Sequence, residues 1–160
     1  MKKVILFVLL VVLLCAACST KKSNEYQHSD NFGFTLTYGT YGKQKVDTFE
    51  DVVVKDLVED GIIEAKIALS EEEMKNIRKK MLDLDLMNDL QITAKECEVE
   101  PISVSKWYIE MDAESKKIEY NSCNKGKEIT EIKNLEEYVH NLVIEKDQYK
   151  TLPEANGFYE

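Results

Sequence analysis

Proline occurs twice in 160 residues, tryptophan once and histidine twice, and basic residues are outnumbered by acidic ones, 21 to 30. So little proline, with only six glycines, excludes collagen-like and proline-rich chains. The net charge of −9 argues against a surface that reads nucleic-acid phosphates. Two histidines, His28 and His140, leave few candidates for the base that most often activates a nucleophile. No G-x-S-x-G, S-x-x-K or H-E-x-x-H pattern is present, nor a glycine loop suited to phosphate. The sequence therefore offers no catalytic residue, no metal ligand set and no cofactor motif.

The longest apolar stretch is also short. Lys2 and Lys3 precede Val4 to Leu14, then Cys15, Ala16, Ala17 and Cys18. A helix needs about 20 apolar residues to cross the hydrocarbon core. A basic start, an apolar middle and small residues before a cut read instead as an export signal over residues 1–17. The cysteine after two alanines resembles the lipobox of bacterial lipoproteins, which implies diacylglycerol on Cys18. Cys15 departs from that pattern, standing where a leucine or other branched aliphatic is usual. The Cys15–Cys18 C-x-x-C carries no redox or zinc meaning, because one cysteine leaves with the signal and the other takes lipid. Export also removes Lys2 and Lys3, leaving 19 basic against 30 acidic residues, a net of −11. Lys21 and Lys22 stand just after the anchor, where each favours an anionic surface by about 1 kcal/mol. Residues 18–31 are polar and without period, which predicts a tether, and residues 32–160 have the length of one domain.

Within that domain Phe32, Phe34, Leu36 and Tyr38 alternate with Gly33, Thr35 and Thr37, the period of a half-buried strand. Gly39 and Gly42 bracket a turn, and a partner strand is expected from Gln44 to Phe49. A Gly-x-x-Gly can hold phosphate at a helix N-terminus, but flanking strands make this one a hairpin. Val52 to Leu57 and Ile62 to Leu69 predict a second hairpin around Glu59-Asp60-Gly61. Ser70-Glu71-Glu72-Glu73 has the form of a capping box, and Met74, Ile77, Met81 and Leu84 follow on one helical face. A methionine stripe can serve as a binding groove, although a core-facing helix is its ordinary meaning. Residues 88 to 105 fit no regular element. Lys106 to Asp112 and Lys116 to Ser122 predict a third hairpin around Ala113-Glu114-Ser115. Asn134 with Glu137 predicts the start of a second helix, with Leu135, Tyr138, Val139, Leu142 and Val143 facing the core. The segment Tyr149 to Pro153 is too rich in large side chains for a loose end and should pack on the body. The fold class is therefore α+β, a mainly antiparallel sheet of hairpins with two amphipathic helices on one face.

Cys97 and Cys123 form an even pair in an exported chain. They read either as a disulfide or as two buried thiols. Asp83, Asp85 and Asp89 resemble a fragment of a calcium loop without its glycine and closing glutamate, so solvated surface is the plainer reading. Glu96, Glu98 and Glu100 would share a face on a strand, a weak basis for a divalent-ion site. His28 falls in the tether and His140 at the edge of the second helix's apolar stripe. Tyr38, Tyr41, Trp107 and Tyr108 are candidates for an aromatic contact surface, or for packing.

Several segments resemble an uncharacterised family of small Gram-positive lipoproteins. They are the lipobox-like start, Tyr38-Gly39-Thr40-Tyr41-Gly42, Asp47-Thr48-Phe49, Lys55-Asp56-Leu57-Val58-Glu59-Asp60-Gly61, Leu69-Ser70-Glu71-Glu72-Glu73 and Tyr149-Lys150-Thr151-Leu152-Pro153-Glu154. The resemblance implies a lipid anchor and brings no activity. Element order is loosely similar to emfourin-like inhibitors of thermolysin-type metalloproteases, which implies no inhibitory residue here. The expectation is a non-enzymatic binding module on the extracytoplasmic face of the cell membrane, whose partners are the membrane through Cys18 and an envelope or secreted protein. The alternatives are an inhibitor of a secreted metalloprotease, and a cell-envelope enzyme working through paired acidic residues.

Overall fold

The computed structural model describes residues 31–88, 90, 92 and 94–160. The export signal, Cys18, His28, Asp89 and all of the tether except Asn31 lie outside them.

Six strands form one antiparallel sheet: β1 Phe32–Tyr38, β2 Gln44–Asp47, β3 Val52–Asp56, β4 Ile62–Lys66, β5 Val104–Met111 and β6 Glu114–Asn121. Their order across the sheet is β4-β3-β2-β1-β5-β6, so a four-stranded meander is extended on the β1 side by the last hairpin. Two long helices, α1 Glu71–Asp83 and α2 Lys127–Ile144, and a short α3 Asp147–Lys150 complete the body. The α+β architecture is the one the alternation and the helical stripe predict.

Register explains the layers. Leu36 stands between Val46 of β2 and Trp107 of β5, Phe34 is opposite Ile109, and Trp107 is opposite Ile118. These side chains share one face of the pleat. They form a single buried cluster with Met74, Ile77 and Met81 of α1 and Ile129, Ile132, Leu135, Val139 and Val143 of α2. The methionine stripe is thus core. The helices are also tied to each other and to the sheet: Lys146 pairs with Glu73, Lys80 sits 4.5 Å over the Tyr138 ring, and Arg78 reaches Asp112 at 2.6 Å. No helix among the described residues is long and apolar enough to cross a membrane.

Local signals succeed and fail for identifiable reasons. The capping box forms in full: the Ser70 hydroxyl accepts the Glu73 amide while the Glu73 carboxylate accepts the Ser70 amide. By contrast, Asn134 and Glu137 do not start a helix. α2 begins seven residues earlier, after Gly126 and with no side-chain cap, because Ile129 and Ile132 extend the apolar stripe upstream and their burial outweighs a cap worth about 1 kcal/mol. The third hairpin turns at Asp112-Ala113 rather than over Ala113-Glu114-Ser115; both turn residues adopt positive φ, 53° and 70°, so Glu114 can pair with Met111. β2 stops at Asp47, two residues before the expected end, and β4 stops at Lys66.

Cys97 and Cys123 are joined by a disulfide with Cα atoms 5.6 Å apart. It pins the irregular segment to the end of β6, beside Asn121, whose amide donates to the Lys95 carbonyl at 2.6 Å. The C-terminal segment packs as expected. Lys55 lies 5.0 Å from the Tyr149 ring, Asn156 bridges to Val58, and the Tyr159 hydroxyl donates to Asp56 at 2.6 Å.

Candidate functional site: a groove on the open face of the sheet

The helices cover one face of the sheet, and the other carries Gly33, Thr35, Tyr108, Glu110, Ser115 and Lys117 from β1, β5 and β6. Gly33 is paired with Glu110 and Glu110 with Ser115; in the next row Thr35 is paired with Tyr108 and Tyr108 with Lys117. At the end of this face nearest the β5–β6 turn lies a groove of about 460 Å³, lined by Gly33, Phe49, Tyr108, Glu110, Glu114 and neighbouring residues. Its volume falls within the roughly 300–1,000 Å³ of ligand sites.

Phe49 forms one wall, and three neighbours hold it there. Thr48, the residue before it, is buried, and its hydroxyl both accepts the Phe34 amide at 2.8 Å and donates to the Phe34 carbonyl at 2.9 Å. The hydroxyl thus completes the β1–β2 ladder where the chain leaves it. Asp47 accepts the amides of Phe49 and Glu50 and closes the turn. Gly33 then leaves room for the ring: a β-carbon at that position would lie 2.5 Å from a Phe49 ring carbon. The Phe49 ring meets Tyr108 at 6.0 Å between centroids and remains 43% exposed. The Asp47-Thr48-Phe49 segment thus fixes an exposed aromatic ring in one place.

Charge in the groove is of one sign. Glu110 accepts a hydrogen bond from the Tyr108 hydroxyl, which raises the phenol's pKa, and Glu114, at the start of β6 beside the turn, also lines the groove. Among the described residues no lysine or arginine lines the groove, although Lys117 approaches the Tyr108 ring, 5.8 Å from its centroid.

Beneath the sheet is a different cluster. Glu136 and His140, one helical turn apart on α2, point toward β1, β5 and β6. The Tyr120 hydroxyl donates to Glu136 at 2.8 Å, with Ser105 beside it, and the Tyr38 hydroxyl lies 2.8 Å from His140 Nδ1. Burial pushes the Glu136 carboxyl above the usual carboxylate range and the His140 ring below the usual histidine range. Burial likewise raises both tyrosines far above the ordinary phenol range. The fold thus favours the neutral form of each ionisable group more than water does.

The signs of the two pH effects are opposite. His140 is protonated sooner in the unfolded chain, so its stabilising contribution is complete above about pH 6.5 and is lost as the pH falls below that value. Glu136 binds its proton more tightly when folded, so its contribution is present below about pH 4.5 and is lost as the pH rises through the raised folded value. Glu136→Gln keeps an acceptor for Tyr120 and removes the charge. It should therefore stabilise the protein more at pH 7 than at pH 4, as read from melting temperatures of both chains at both values. An equal change at the two pH values would show that the buried carboxylate is not destabilising when charged.

The residues singled out from sequence fall in several places. Tyr38 and Trp107 are core, Tyr108 lines the groove, and Tyr41 lies elsewhere, donating to Glu100 and packing edge-on against Tyr159. Asp85 takes positive φ and accepts from Asn88, and Glu96, Glu98 and Glu100 are exposed in irregular chain. No three metal-ligating side chains converge among the described residues. His140 is half buried, the boundary position expected at the edge of the apolar stripe. Phe49, Glu110, Glu114 and Glu136 escape the sequence reading. A glycine inside a strand is a known mark of close approach, and Gly33 was the available signal.

Comparison of the chain with protein-family models, with curated proteins and with solved structures returned no match.

Proposed function

We propose that this chain is a lipid-anchored, extracytoplasmic binding module, tethered through Cys18 to the outer face of the cell membrane and acting without catalysis. Its binding site is the groove between Phe49 and Tyr108. The observation that carries this reading is the fixed exposure of Phe49: a buried hydroxyl, a turn-closing carboxylate and a glycine together hold an apolar ring in solvent. Fixed aromatic rings at a concave site are the usual anchors of protein recognition. The Cys97–Cys123 disulfide is compatible with an oxidising compartment. A non-enzymatic role is supported by the setting of Glu136, the carboxyl with raised proton affinity, which is paired with a phenol beneath a helix.

Mass spectrometry of the mature protein tests the anchor. The expected N-terminus is Cys18 carrying a diacylglycerol, with residues 1–17 gone; an intact Met1 or an unmodified Cys18 would overturn the location. Cross-linking on intact cells tests the module, with Phe49→Ala expected to lose the partner that the natural chain captures. Identical capture by both would remove the groove from the proposal.

A further inference from the structure

We propose that the groove takes a basic peptide segment, a lysine or arginine side chain lying across Phe49 with its charge between Glu110 and Glu114. The inference rests on the groove being a binding site and names the chemistry of its occupant. Three observations converge on a cation with an apolar stem. The first is the aromatic wall: the Phe49 and Tyr108 rings stand 6.0 Å apart, and Phe49 keeps 43% of its surface open. An ammonium or guanidinium over such a ring gains about 0.5–2 kcal/mol, and its methylene stem covers apolar surface.

The second is the sign of the lining. Glu110 and Glu114 belong to it, and among the described residues no cationic one does. Nearby cations are engaged: Arg78 pairs with Asp112, Lys45 with Asp47, and Lys116 donates to the Asn88 carbonyl. Lys117 places its own ammonium 5.8 Å from the Tyr108 ring, so Tyr108 already has a cation beside it and Phe49 is the ring left for a ligand's. The third is the whole-chain charge of −9, which favours encounter with basic partners and disfavours acidic ones. An aliphatic partner would leave the two negative charges without a counter-charge, and an acidic one would be repelled by them.

The test uses the full chain in uncharged detergent and three acetylated, amidated tripeptides: lysine–phenylalanine–lysine, glutamine–phenylalanine–glutamine and glutamate–phenylalanine–glutamate. Amide resonances of Gly33, Phe49 and Tyr108 report occupancy of the groove, and titration gives the affinity. The basic peptide should bind on the order of tenfold more tightly than the neutral one at low salt, from one cation–π contact and two exposed ion pairs. That preference should shrink in 0.5 M salt and fall to the cation–π part in Glu110→Gln/Glu114→Gln, while Phe49→Ala should weaken both peptides and the basic one more. Equal binding of basic and neutral peptides at the groove amides would overturn the charge assignment and leave the groove as a binding site. Tighter binding of the acidic peptide would also overturn it. Failure of all three to move those amides would overturn both this inference and the groove reading on which it rests.

Discussion

Replacing both Cys97 and Cys123 by serine should lower the stability of the domain by about 3.5 kcal/mol. The bridge spans 26 residues of sequence, and the chain-entropy relation for a loop of that length gives this value at 25 °C. For a domain of this size that is roughly a 10 °C fall in melting temperature. The native structure should survive the change, because the segment that the bridge secures has other attachments. The Asn121 side-chain amide donates to the Lys95 carbonyl at 2.6 Å, and the Lys95 backbone amide donates to the Asn124 side-chain oxygen at 3.4 Å. Far-UV circular dichroism of the double variant should therefore match the natural chain while its denaturation midpoint falls. An unchanged midpoint would mean that the bridge does not constrain the unfolded chain. Reduction of the natural protein should reproduce the shift without any substitution.

The disulfide also marks where sequence ceases to be informative. Cys97 sits in a stretch where a brief alternation with Glu96, Glu98 and Glu100 forms no strand, and an even count of cysteines says only that pairing is possible. The strands that carry the core were readable because one buried face imposes a period of two, as in Phe32 to Tyr38. α1 was readable because Ser70 and Glu73 fix its start. α2 was located but not bounded: counting from Asn134 omits Ile129 and Ile132. Including them turns the buried stripe toward Glu136 and His140, which is why those two face the sheet instead of solvent.

The groove was less legible than the core for a different reason. It lies on the face where alternation places Gly33, Thr35, Tyr108 and Glu110, a set that reads as ordinary solvated surface. Its residues come from three stretches separated by fifteen to sixty positions, and they meet only through the register of β1 with β5 and the turn after β2. Neither the register nor the side on which the turn folds back is written in local pattern. The structure supplies a physical role for each residue of Asp47-Thr48-Phe49: a turn-closing carboxylate, a ladder-completing hydroxyl and an exposed ring.

That role makes Thr48→Val the most discriminating substitution. Valine matches threonine in shape, so packing is preserved and the hydroxyl alone is lost. The hydroxyl is the acceptor for the Phe34 amide, which points toward β2 at the position where the chain has already turned away. Phe34 is fully buried, so no solvent replaces the lost acceptor. Leaving a buried amide unsatisfied costs about 1–3 kcal/mol, more than the 0.5–1.5 kcal/mol net value of an ordinary hydrogen bond. Thr48→Ser retains the hydroxyl and should keep most of that stability, so the difference between the two variants isolates the bond from the methyl group. The consequence reaches the groove because Phe49 is the next residue. With the turn released, hydrogen exchange at the Phe34 amide should accelerate in the valine variant, and the Phe49 ring should no longer rest over Gly33, weakening any ligand held against it. Denaturation midpoints and exchange rates for the serine and valine variants decide the matter together. Equal stability of the two would mean that the hydroxyl does not secure the turn, and that the exposure of Phe49 must have another cause.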